Sequence, residues 1–84
     1  MPYIKLKNRM KYNPHLNSID KIETKGDLEY CVYRLMNKYM EDKDFTYTNL
    51  HDVVYATQHC ADEFRRRNLD VREDRARISN GDID

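Results

Sequence analysis

The stretch Thr46-Tyr47-Thr48-Asn49-Leu50-His51-Asp52-Val53-Val54-Tyr55-Ala56-Thr57-Gln58-His59-Cys60-Ala61-Asp62-Glu63-Phe64-Arg65-Arg66-Arg67 decides the fold of this chain. Leu50, Val53, Val54, Thr57, Cys60, Ala61 and Phe64 recur at spacings of three and four, the period of one helix face. His51, Tyr55, His59, Asp62 and Arg66 gather on the opposite side. Thr48 or Thr46 can cap the N-terminus through its hydroxyl, and the pattern ends at about Arg67. Several of the apolar side chains are small, which lets a neighbouring helix approach closely.

Working outward, that neighbour precedes it. Leu28, Val32, Leu35 and Tyr39 form one stripe, flanked by Cys31 and Met36 and widened by Tyr33 and Met40. Gly26 reads as the end of an earlier short helix and Asp27 as the cap of this one. The short helix starts at Asn13-Pro14, where proline at the first helical position loses no hydrogen bond. Residues 1–13, with Ile4 and Leu6 alternating with lysines, read as an extended basic arm. Residues 68–84 read as a charged tail, with a further helix over 70–79 and a turn at Asn80-Gly81-Asp82. The expected fold is all-α: a helical hairpin of two longer antiparallel helices and a short N-terminal helix in a 14–67 core, between arm and tail.

Composition narrows the function classes. The 84 residues carry 15 basic and 15 acidic side chains, so no net charge draws the chain to polyanions or membranes. No apolar run reaches the roughly 18 residues of a membrane span. No secretory leader is visible, and two cysteines are too few for a disulfide framework. Cys31 and Cys60 therefore read as reduced, buried thiols, and the cytosol is the expected compartment. A chain this short buries only about 60–65% of its unfolded surface. With neither disulfide nor metal to reinforce the core, a homo-oligomer is expected.

Catalytic constellations do not assemble. His51 and His59 lie eight residues apart, about 80° round a helix, and no third ligand completes a metal site. The pairs Glu41-Asp42, Asp62-Glu63 and Glu73-Asp74 lack the spacing that holds magnesium on facing helices. Cys60 and His59 are sequence neighbours and diverge by about 100° on a helix. The chain is read as a non-enzyme with no cofactor.

Binding chemistry is better represented. Six arginines lie between Arg65 and Arg77. Arg65, Arg66, Arg67 and Arg72 form a guanidinium cluster able to fork onto phosphate oxygens. Tyr3, Tyr12 and Tyr55 are the rings expected to stack on a base. Arg65–Arg67 also suit a helix C-terminus as plain dipole partners. Glu73, Asp74, Asp82 and Asp84 counter a long polyanion, so a phosphate-bearing small molecule is favoured over nucleic acid.

Met1-Pro2-Tyr3-Ile4, Gly26-Asp27-Leu28-Glu29-Tyr30, Glu63-Phe64 with Arg66-Arg67, Glu73-Asp74, Ile78 and Asn80-Gly81-Asp82 resemble an uncharacterised family of small proteins found mainly in bacteriophage genomes. Val71-Arg72 stand where that family usually holds Pro-Tyr, and about one extra residue precedes Ile78. The resemblance implies a phage or prophage origin and carries no catalytic residue. By analogy of size and style, it suggests a helical oligomer that sequesters a nucleotide-derived signal of host defence. The alternatives are a protein–protein modulator or minor structural protein of the phage, or a nucleic-acid-binding accessory protein acting through the basic arm.

Overall fold

The computed structural model describes residues 2–83. Met1 of the N-terminal motif and Asp84 of the acidic tail lie outside the described residues. The fold is all-α: α1 (Leu6–Asn17), α2 (Lys25–Met40), α3 (Tyr47–Phe64), a π-helical segment (Arg65–Leu69) and α4 (Asp70–Asn80).

The hairpin is α2 against α3, joined by residues 41–46, and its caps are local chemistry. The Thr24 hydroxyl accepts from the Asp27 amide at 3.0 Å, and the Thr46 hydroxyl from the Asn49 amide at 3.2 Å. Each threonine satisfies one of the amides left unpaired at a helix start. Thr24→Ala and Thr46→Ala are each expected to cost about 1 kcal/mol, read as a lower urea midpoint at fixed protein concentration.

Two boundaries differ from the sequence reading. Gly26 does not stop a helix; it lies in the first turn of α2, two residues after the Thr24 cap, and Asp27 takes the third helical position. The arm is helical from Leu6, with Pro14 inside α1 instead of at its start. Leu6, Lys7, Arg9, Met10 and Lys11 are good helix formers, and their propensity prevails over the short alternation that suggested a strand. Only residues 2–5 of the arm remain extended or irregular, and residues 18–24 carry no helix.

The third helix does not end at Arg67. The backbone stays right-handed helical through Phe64, Arg65, Leu69 and Asp70, and the Asp70 amide bonds to the Arg65 carbonyl, five residues back. Asn68 Nδ2 donates to the Phe64 carbonyl at 3.1 Å within the same turn. Tyr47 to Asn80 is thus one helical rod of 34 residues. At a rise of about 1.5 Å per residue its length accounts for the 51 Å long axis of the molecule. Gly81, at φ +91°, ends the rod in a conformation that disfavours a Cβ.

Packing is sparse. α2 and α3 are the one pair of helices distant in sequence that approach each other among the described residues. Among the described residues Val53 is the single buried apolar side chain, at 8% exposure. Cys31, Val32, Met36 and Met40 of α2 and Leu50 and Thr57 of α3 are half-buried. The covered side of α2 is therefore shifted: Val32, Met36 and Met40 are half-buried, while Leu28, Leu35 and Tyr39 of the expected stripe stay exposed. The cysteines are free, but Cys31 is half-buried and Cys60 exposed, in contrast to the buried pair expected. The hairpin has only one neighbour for each face, too little to cover either.

Candidate anion-binding cleft

The π segment and α4 sort charge by face. Asp70, Glu73, Asp74 and Arg77 share one side of α4 at helical spacing. Arg77 is engaged there, 4.0 Å from Asp74 and 3.6 Å from Asp82. The other side carries Arg67, Asn68, Val71, Arg72, Arg75, Ala76 and Ser79, which line a cleft of about 510 Å³. Three guanidiniums, one amide and one hydroxyl converge on it, and no carboxylate lines it. Among the described residues Arg72 and Arg75 make no ion pair, so their donors stay available to an incoming anion.

The π segment has a direct role in this arrangement. A π turn inserts one residue into the helical repeat and so rotates everything beyond it relative to α3.

The structure divides the arginine cluster. Arg67 and Arg72 line the cleft. Arg66 instead bonds Glu63, with Nε donating at 2.8 Å. That bond, with the charge of Glu63, holds the Arg66 guanidinium above its usual range. Arg65 does not line the cleft. Asn68, Arg75 and Ser79 do, and sequence reasoning missed them; their spacing of four, three and seven residues from Arg72 was the signal.

The three tyrosines separate likewise. Tyr3 reaches the cleft's edge: its hydroxyl accepts from Arg67 Nη1 at 2.9 Å, and the guanidinium carbon lies 5.8 Å from its ring centre. Tyr12 sits on α1 beneath Lys11, whose ammonium lies 5.4 Å from its ring. Tyr55 belongs to an aromatic ladder on α3. Tyr47 stacks on His51 at 5.3 Å, His51 meets Tyr55 edge-on at 4.1 Å, and Tyr55 lies 6.0 Å from His59. A second, smaller hollow of about 270 Å³, lined by Pro2, His59, Asp62, Glu63 and Arg66, closes the ladder. Its two carboxylates make it a poor seat for phosphate.

Elsewhere the charges serve local ends. Lys43 Nζ donates to Asp42 at 3.1 Å and to the Tyr39 carbonyl at 2.9 Å, tying the end of α2. The bond to Lys43 holds the Asp42 carboxyl below the usual carboxylate range. Among the described residues no three His, Cys, Asp or Glu side chains group to hold a metal ion. No helix among them is long and apolar enough to cross a membrane.

No curated protein and no solved structure matches the chain. Residues 1–83 match a family described as a domain of unknown function, DUF6899, and the basic cleft, the π segment and the Tyr3 contact all fall within that span. The chain belongs to the DUF6899 family.

Proposed function

We propose that the protein acts by stoichiometric binding as a homo-oligomer, and that its ligand is a phosphate-bearing small molecule held by Arg67, Arg72 and Arg75. The observation that carries this reading is the acid-free cleft on α4. Its volume falls in the roughly 300–1,000 Å³ range of small-molecule sites, and guanidinium forks match phosphate oxygens in pairs. Arg65 and Arg66 leave the set assigned to the ligand; Arg75 joins it. Tyr3 stands at the cleft's edge as the ring that can lie on a base.

Oligomerisation completes such a site. Small-molecule pockets cover about 70–90% of their ligand, and a cleft walled by one helix covers a single side. A neighbouring protomer supplies the missing wall. The small size and the family resemblance suit a phage protein that sequesters a nucleotide-derived signal of host immunity.

Isothermal titration with cyclic di- and trinucleotides and cyclic ADP-ribose isomers tests the reading. Saturable heat with a fixed ligand-to-protomer ratio is the expected result. Absence of binding to every member retires the sponge. Duplex DNA separates the nucleic-acid alternative, since affinity there would fall with salt at a slope near −0.9 per phosphate neutralised.

A further inference from the structure

The segment before α1 is held where the anion cleft begins. The Ile4 amide donates to the Pro2 carbonyl at 3.1 Å, and Arg9 Nε donates to the Ile4 carbonyl at 2.6 Å. Pro2 lines the hollow it shares with His59, Asp62, Glu63 and Arg66. Between these anchors Tyr3 meets Arg67. The phenol oxygen lies 2.9 Å from Nη1, and the ring centre 5.8 Å from the guanidinium carbon.

We propose that Tyr3 is a positioning residue of the cleft: its phenol orients the Arg67 guanidinium for an incoming phosphate, so that two distant stretches of the chain build one site. This role rests on the phosphate-binding half of the function given above and adds a second element to its site.

Charge explains why a phenol serves here. Arg66 and Arg67 are neighbours with different partners. Arg66 bonds the Glu63 carboxylate, which offsets its charge. Arg67 makes no ion pair among the described residues and donates to Tyr3, a neutral acceptor. A guanidinium carries several N–H donors in a fixed fork, and the phenol occupies only one of them. The remaining donors and the whole positive charge stay available to an anion. A free arginine side chain loses rotamer freedom when a ligand fixes it, and that loss weakens binding. Arg72 and Arg75 have no such partner; Arg67 is partly ordered before any anion arrives. Tyr3 is 46% exposed, which leaves ring surface for a base as well.

The test is isothermal titration of pyrophosphate, which has no base, and of cyclic di-AMP, which has two. The proteins are the full-length wild type, Tyr3→Phe, Arg67→Ala and the double variant. Tyr3→Phe keeps the ring and removes the oxygen. It is expected to weaken pyrophosphate by roughly 3- to 10-fold and cyclic di-AMP by the same factor, with helical circular dichroism unchanged. On the Arg67→Ala background the same substitution should change nothing further. Such non-additivity marks two groups acting as a unit, and a merely structural role of the arm would not produce it. If Tyr3→Phe binds both probes as tightly as wild type, or more tightly, the phenol only occupies Arg67 and the assignment is overturned. An equal loss on both backgrounds overturns it too. So does a wild type that fails to bind pyrophosphate, whereas the function proposed above falls only if the whole nucleotide panel is silent.

Discussion

Val53→Asp is expected to abolish the folded hairpin. Val53, 8% exposed, is the one described apolar side chain in the buried class, and it lies on α3, which packs against α2. A carboxylate there puts a charge where an apolar side chain packs, and an uncompensated buried charge costs about 3–5 kcal/mol. Small domains hold about 5–15 kcal/mol in all, so a loss of this size removes much of the stability of a hairpin with a single buried apolar side chain among its described residues. Loss of helical circular dichroism at room temperature is the measurement. Ile83→Asp, at a position 99% exposed, is the control and should leave the signal intact.

The second large effect is on binding. Arg72→Glu with Arg75→Glu replaces two unpaired guanidiniums of the cleft with carboxylates. A hydrogen bond to a charged group contributes about 1.5–3 kcal/mol, so losing two and adding repulsion should weaken the tightest ligand of the nucleotide panel by more than ~100-fold. Helicity should persist, because both side chains lie on the exposed face of α4. Arg77→Glu offers the contrast. Its guanidinium faces Asp74 and Asp82 outside the cleft, so affinity should hold within experimental error. Equal losses from Arg77→Glu would mean that overall charge, and not the cleft, drives binding.

Much of the helical body was legible because its signals are local. The apolar period of α3, the wide stripe of α2 and the Thr46 cap each act within a turn or two. Gly81 and Asn80 mark the end of α4 for the same reason. The misread parts are those where two local signals compete. At the N-terminus, alternation and the Asn13-Pro14 start signal pointed to a strand and a later helix; the propensities of residues 6–11 prevailed. At Gly26, a stop signal lay inside the reach of the Thr24 cap.

The cleft was half legible. Arg67 and Arg72 were identifiable as members of a cluster, but a cluster in sequence is not one on a surface. Glu63 takes Arg66, and the α-helical repeat of α4 sets Arg75 and Ser79 on one face with Arg72. Residues 65–69 hold no glycine or proline, so nothing in their composition announces the extra residue in the turn. The contact between Tyr3 and Arg67, 64 positions apart, is tertiary and has no sequence signature. Which stripe of α2 meets α3 is equally a matter of packing, and there the centre moved from Leu28, Leu35 and Tyr39 to Val32, Met36 and Met40.

Sedimentation equilibrium of the wild-type chain, from micromolar to near-millimolar concentration, bears most directly on the idea that neighbouring copies cover what each protomer leaves bare. The account predicts a mass that is a whole multiple of 10.2 kDa, with dissociation on dilution accompanied by loss of helix. A single species at 10.2 kDa throughout the range, melting cooperatively at a temperature independent of concentration, would contradict it.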